Sequence, residues 1–221
     1  GIGGVKAKNK DGQILYFKAK KGVLLAAGGF AMNPKMLQRF NPLMLKAQAR
    51  AGGGCTGDGI LMAMAYGADT LDTEYIKATF CYPEPECAFR GNTIEEVAIK
   101  AGLDPKGLKE TITRYNSNID NKIPDPDFNR TSINSGSGEL VKIETGPFYI
   151  YPATARLIAT YCGVKINTKA EVLNVFGEKI PHLYACGEMT GGVHGAAYMT
   201  GSSIGKAMAF GRIAVKSMME S

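Results

Sequence analysis

From Leu183 the chain reads as a short strand, Leu183-Tyr184-Ala185-Cys186, and then a turn carrying an acid, Gly187-Glu188. A glycine-rich stretch follows from Gly191 to Gly201, and a helix opens at Ser202. This order constrains the fold more than any other feature. A carboxylate at a strand end can accept hydrogen bonds from sugar or polyol hydroxyls. A helix N-terminus turns unpaired N–H groups and the positive end of its dipole toward an anion. Taken singly, the other glycine clusters, Gly28-Gly29, Gly52-Gly53-Gly54 and Gly57-Asp58-Gly59, read as tight turns as readily as ligand contacts.

A chain of 221 residues can bury a core as one large domain or as a domain with a smaller insertion. Hydrophobic residues at 45% and charged residues at 21% exclude disorder and a fibrous repeat. The net charge of +6 comes from scattered lysines, with only Lys18 to Lys21 locally basic, and reads as solvated surface. A nucleic-acid module would interleave aromatic platforms with Arg or Lys, and none do so here. No run reaches the ~18 to 20 apolar residues of a membrane span, and Gly1 to Lys10 has no signal-peptide pattern. Cys55, Cys81, Cys87, Cys162 and Cys186 form no CxxC pair, and His182 and His194 sit on no metal-ligand spacing, so no metal is expected. Free thiols fit a reducing compartment, the cytoplasm.

Residues 3–8 and 13–19 flank Asn9-Lys10-Asp11-Gly12, a hairpin signal. Val23 to Ala27 is a continuous apolar run, expected as a strand buried on both faces. Helices are expected from Asn33-Pro34 to Phe40 and from Asp58 to Tyr66. Thr79 to Gly91 reads as an irregular domain junction. Thr93-Ile94-Glu95-Glu96 is a capping box, and Asp104-Pro105 opens a helix to about Asn118. Pro124 to Glu139 reads as a long loop. Strands are expected at Phe148 to Tyr151, Val164 to Asn167, Val172 to Val175 and Leu183 to Ala185, with a turn near Phe176-Gly177. In the last helix, Ser202 to Met219, Ile204, Ala207, Met208, Ala214 and Met218 recur near helical spacing.

Four motifs in order carry a family resemblance: Leu24-Leu25-Ala26-Ala27-Gly28-Gly29-Phe30, Thr56-Gly57-Asp58-Gly59-Ile60, Ile166-Asn167-Thr168-Lys169-Ala170-Glu171-Val172, and Tyr184-Ala185-Cys186-Gly187-Glu188-Met189-Thr190-Gly191-Gly192-Val193-His194-Gly195. Together they resemble the FAD-binding fumarate reductase and succinate dehydrogenase flavoprotein family, which includes ketosteroid dehydrogenases. The resemblance implies an α/β fold: a discontinuous FAD/NAD(P)-binding-like domain with a small β-meander, residues 1–77 and 145–221, interrupted by a reduced helical cap subdomain, residues 78–144. It implies an oxidoreductase passing hydride through flavin N5. Ala27, Gly28 and Gly29 would lie near the FAD adenosine and phosphates, Gly57 and Asp58 close to the flavin side, and Gly187 with Glu188 at the ribityl chain. Ser202, Ser203 and Ile204 would meet the isoalloxazine, where N–H groups stabilise the charge that builds on its pyrimidine side.

The chain departs from the family in several places. Members open with a βαβ unit carrying GxGxxG for the FAD pyrophosphate, and Gly1-Ile2-Gly3-Gly4 lacks the strand and helix of such a unit. The alternative to an oxidoreductase is therefore a non-catalytic fragment or split subunit that requires a second polypeptide carrying the pyrophosphate-binding motif. The passage from Tyr75-Ile76 to Phe89-Arg90 skips the first half of the family's cap with its catalytic arginine, which Arg90 does not replace by motif. Ala197-Tyr198 stands where fumarate reductases have Asn-Arg, and Ala159-Thr160-Tyr161-Cys162-Gly163 stands where they have His before Thr-Met-Gly-Gly. A phenol in place of a guanidinium leaves a neutral donor, suited to a ketone or enone oxygen rather than a carboxylate. Tyr198 is therefore the candidate catalytic residue, with loop packing as the alternative. Tyr161 is a weaker candidate, and His194 reads as a structural loop residue. The substrate is expected to be a neutral small molecule, and the electron donor is left open.

Overall fold

The computed structural model describes residues 1–81, 88–133, 138–196 and 198–220. Among them the chain forms two units, residues 1–80 with 154–221, and residues 81–153.

In the first unit, the strand Lys179–Ala185 runs between two neighbours. It is antiparallel to Glu171–Leu173 and parallel to Val23–Leu25, with Leu183 opposite Val23 and Ala185 opposite Leu25. The parallel pairing brings the carboxyl ends of two strands to one edge, and the Cys186 N–H extends it by donating to Leu25 O at 3.0 Å. Gly28-Gly29 and Gly187-Glu188 leave these strands side by side. The ladder at Val23 is shorter than its apolar run implies: it ends at Leu25, its residues are half-buried, and Ala26 and Ala27 are exposed. Among the described residues this strand has one neighbour, so it is an edge strand, and its half-buried residues are less covered than a strand buried on both faces.

Helix α1, Pro34–Phe40, is capped by Asn33, whose side chain accepts from Lys35 N and Met36 N. Helix α2, Asp58–Ala65, buries Gly59, Ile60 and Ala63. Ile60 and Ala63 join Phe30, Leu157, Val164, Val172, Leu183 and Met189 in the main core. The hairpin forms as expected, Gly4–Lys8 with Ile14–Lys18, its turn held by Asn9 Oδ1 accepting from Asp11 N and Gln13 N.

In the second unit, Phe89–Gly91 pairs antiparallel with Phe148–Ile150. Helix α3, Ile94–Lys100, starts at Thr93, whose hydroxyl accepts from Glu96 N at 3.0 Å. Glu96 reaches back to Asn92 N rather than to the cap residue, a shifted capping box. Helix α4, Pro105–Asp120, is capped by Asp104. Thr79 to Gly91 is less irregular than its composition implies, since Thr79–Cys81 and Phe89–Gly91 are strands; residues 82–87 lie outside the described residues, as do 134–137 of the long loop.

Helix α5, Ser202–Glu220, returns to the first unit and lies against the strand that ends at Ala185. Its covered stripe matches the spacing at Ala214 and Met218 but not at Ile204 and Met208. Ile204 and Met208 are 67% and 72% exposed, whereas Lys206 and Ala214 are buried and Phe210, Ile213 and Met218 pack beside them. The period is helical, but a lysine takes the first inward position.

Candidate functional site

The two strand ends make the floor of the site. A Cβ on Gly29 would lie 2.1 Å from Glu188 Oε1 and 2.3 Å from Thr160 Oγ1, so glycine is what lets this backbone meet the acid. Glu188 Oε1 accepts from Thr160 N at 3.0 Å, and the Thr160 hydroxyl, 2% exposed, reaches the same oxygen at 3.4 Å. Gly57 donates its N–H to Gly29 O at 3.1 Å, and Ala27 N–H points at Met189 Sδ at 3.4 Å. The Asp58 carboxylate turns back to the Thr56 hydroxyl at 3.0 Å. Thus Ala27, Gly28, Gly29, Gly57, Gly187 and Glu188 lie together.

Beside this floor a cavity of about 410 Å³ is lined by Tyr161, His194 and Tyr198, with Tyr75, Asp72 and Lys77 at other walls. Among the described residues no arginine lines it. The rings of Tyr161 and Tyr198 stack with centroids 4.1 Å apart, and the His194 ring stands edge-on to both at 5.3 Å. Tyr198 Oη is 3.1 Å from Ser203 Oγ and accepts from Gly201 N at 3.2 Å. These contacts, Ser203 first, hold the Tyr198 phenol below its ordinary pKa, while burial, then the Tyr198 charge, pushes Tyr161 up to about 12. Of the two phenols, Tyr198 ionises first. The glycine loop is tied down by two side chains: Asp72 Oδ2 accepts from Gly192 N, and Lys77 Nζ donates to Ala196 O, each at 2.7 Å.

Behind the loop Lys206, 5% exposed, donates to Thr190 O. Burial lowers its pKa from 10.5 to about 8, against the opposing pull of Cys162, Glu188 and Asp72. The folded state therefore releases this proton more readily than the unfolded chain does. Its cost is constant below about pH 8 and vanishes as the pH rises to 10.5, so stability is gained across that window. Lys206→Met removes the effect: the difference in urea midpoint between the two proteins should move toward the wild type between pH 8 and 10.5. A difference that stays flat would mean that Lys206 is solvated.

Asp72, Lys77 and Lys206 were not legible as site residues, because no motif or periodicity marks them and each acts through a contact distant in sequence; Thr160 stands in a stretch aligned with a family motif, but its hold on Glu188 was not legible there. One spacing was also missed. Gly52-Gly53-Gly54-Cys55-Thr56-Gly57 matches GxGxxG and leads into α2. Its preceding strand, Gln48–Ala49, pairs with Thr154–Leu157 outside the sheet of Val23–Leu25, and Asp58 opposes an anion at the helix start. It is not the opening βαβ unit.

The FAD binding domain family matches residues 1–87 and 88–204. The chain belongs to that family. The NADH:acrylate oxidoreductase of Vibrio harveyi is 26% identical over 97% of this chain and 28% of its own length. The fumarate reductase (cytochrome) of Shewanella frigidimarina is 42% identical over 51% of this chain and 19% of its own. Among solved structures, the 3-ketosteroid Δ1-dehydrogenase of Sterolibacterium denitrificans superposes with a TM-score of 0.77, at 21% identity, over 99% of this chain and 57% of that one. The chain thus spans well under half the length of these two curated relatives. The alignment with the acrylate oxidoreductase runs over 291 positions against 221 residues here, so that relative carries residues with no counterpart in this chain.

Open backbone and a carboxylate at the two strand ends are compatible with the hydroxyl-bearing part of FAD. At Gly28 an added Cβ would meet nothing within 4 Å, and at the next residue, Gly29, it would fall on the Glu188 carboxylate. The α5 N-terminus follows at Ser202, and an added Cβ at Gly187 would lie 3.9 Å from Ala207 of the same helix. Among the described residues no helix is long and apolar enough to cross a membrane.

Proposed function

We propose that the chain is the substrate-facing part of an FAD-dependent oxidoreductase that reduces or desaturates a C=C bond of a neutral enone or ketone-type substrate. The stacked Tyr161 and Tyr198 in an arginine-free cavity carry this reading. A dicarboxylate is best gripped by bidentate guanidinium groups, whereas the cation in this lining, Lys77, is a single ammonium with one donor given to Ala196 O. Bound FAD supplies the hydride chemistry.

The chain's own residues divide the remaining work. Ala27, Gly28 and Gly29 offer backbone to the adenosine and phosphates, and Gly57 and Asp58 border the flavin side. Gly187 and Glu188 receive the ribityl chain, with the carboxylate oriented by Thr160. Ser202, Ser203 and Ile204 border the isoalloxazine, with the N–H groups of Ser203 and Ile204 turned to it, since the Ser202 N–H is taken by Met199 O at 3.1 Å. Tyr198 polarises the carbonyl oxygen and moves the proton, its lowered pKa making it the better donor of the pair. Residues 78–144 are the remnant of a substrate-capping domain, and the break of the family match between 87 and 88 falls within them. Electrons come from a separate donor. Free Cys55, Cys162 and Cys186 favour a cytoplasmic setting.

A second reading is that the chain works only with a partner polypeptide carrying the pyrophosphate-binding motif. The open edge at Val23–Leu25 favours it, as does the hairpin face on which Val5, Leu15 and Phe17 are 40%, 40% and 58% exposed. FAD added to the purified chain, followed by gel filtration and an absorption spectrum of the protein peak, separates the two. A retained flavin band supports a self-sufficient site, to be followed by enone reduction with a reduced dye; a colourless peak points to the partner.

A further inference from the structure

The His194 imidazole has one ring nitrogen with a partner and one without. Nδ1 lies 3.3 Å from Ser202 Oγ, and the same hydroxyl donates its single proton to Met199 O. A carbonyl can only accept, so the Ser202 oxygen can only accept from His194, and Nδ1 carries the ring proton. Burial, then the Lys206 charge, lowers the His194 pKa, so the ring is neutral at pH 7. Nε2 is therefore a bare lone pair, shielded from solvent and without a partner among the described residues. A buried acceptor left unsatisfied bears its full desolvation penalty. Such an exception in a ring that lines a cavity needs an explanation. The ring stands in the cavity wall edge-on to Tyr161 and Tyr198, and Tyr198 sits 40% exposed on the glycine loop. A donor reaches Nε2 only where one of these rings gives way.

We propose that His194 determines specificity by presenting Nε2 as a hydrogen-bond acceptor to an O–H or N–H donor on a neutral substrate. The cavity then holds complementary functions, a phenol for the substrate's carbonyl and an imidazole lone pair for its donor. Molecules lacking a donor leave Nε2 unpaired and bind less well. This rests on the reading of the cavity as the substrate site.

The test uses flavin-free chain labelled with 15N-histidine and two probes of matched shape, 4-ethylphenol and 4-ethylanisole, of which only the first has a donor. Long-range 1H–15N spectra should show His194 protonated at Nδ1, with an Nε2 signal that moves on adding the phenol and stays in place with the anisole. The phenol should bind about tenfold tighter. His194→Phe should bring the two probes level, and Ser202→Ala, which frees the tautomer and leaves the ring in place, should reduce the preference several-fold. A proton on Nε2, equal binding of the probes, no binding of either, or a preference that survives both substitutions would overturn the proposal. Because no flavin or turnover is involved, failure of enone reduction would count against the reaction assigned above and leave this result standing.

Discussion

Gly163→Ala should cost several kcal/mol of stability and loosen the site at the same time. Gly163 has φ +146, where L side chains are strained, and a Cβ there would lie 2.1 Å from Met189 O and 2.8 Å from Met189 C. Those are backbone atoms of the turn that carries Glu188, so they cannot step aside as a side-chain tip would. Overpacking of this kind costs about 1–3 kcal/mol and the backbone strain about as much again, a large share of the roughly 5–15 kcal/mol that holds a domain together. The damage spreads because Val164 O accepts from Gly191 N at 3.0 Å, which joins this strand to the start of the glycine loop. Gly28→Ala is the control: its φ of +77 carries strain, but a Cβ there meets nothing within 4 Å. Thermal melts of both variants decide the matter. A Gly163→Ala melting temperature within a few degrees of Gly28→Ala would show that the Met189 turn yields easily.

Local chemistry explains which parts of the fold were legible. Asn33, Thr93 and Asp104 announced their helices because a short polar side chain next to free N–H groups is a local event, and each caps as its position implies. The hairpin turn was legible for the same reason. The edge status of Val23–Leu25 was not, since an apolar run records what a strand is suited to and not how many neighbours it finds. In α5 the same limit applies: Ile204 and Met208 repeat at helical spacing, yet the stripe facing the strand starts at Lys206, whose ammonium finds Thr190 O. The strand Thr154–Leu157 was missed because only Leu157 of its four residues is buried and Arg156 interrupts the apolar pattern.

The site was legible where motif letters are themselves the contacts. Gly29, Gly57 and Glu188 meet at one strand edge, as neighbouring motifs of a ligand site should. What sequence could not supply was the company those residues keep. Tyr161 and Tyr198 are far apart in the chain, and only the fold stacks them. Thr160 holds Glu188 across a comparable gap. The two glycine-loop ties from Asp72 and Lys77 arise from a turn whose sequence carries no signature.

The stacked pair also sets the sharpest test of the chemistry. In the flavin-loaded protein, with its partner polypeptide where the chain alone does not hold FAD, Tyr198→Phe should lower kcat about 10²- to 10⁴-fold, the range for loss of a proton-transferring group. Its effect on KM should be smaller, since the ring and its stacking remain. Tyr161→Phe should behave differently. With a pKa pushed up to about 12, Tyr161 keeps its proton through the working range, so its loss should weaken substrate binding more than turnover. The pH profile separates the roles. For a Tyr198 that donates the proton during reduction, the rate should be level at low pH and fall as the pH rises through its lowered pKa, giving an alkaline limb below the ordinary value of 10.0. Tyr198→Phe should erase that limb, whereas Tyr161→Phe should shift it, because each phenol acts on the other. If Tyr198→Phe instead kept kcat and the alkaline limb, Tyr198 would be a packing residue of the loop and the proton would have to come from elsewhere.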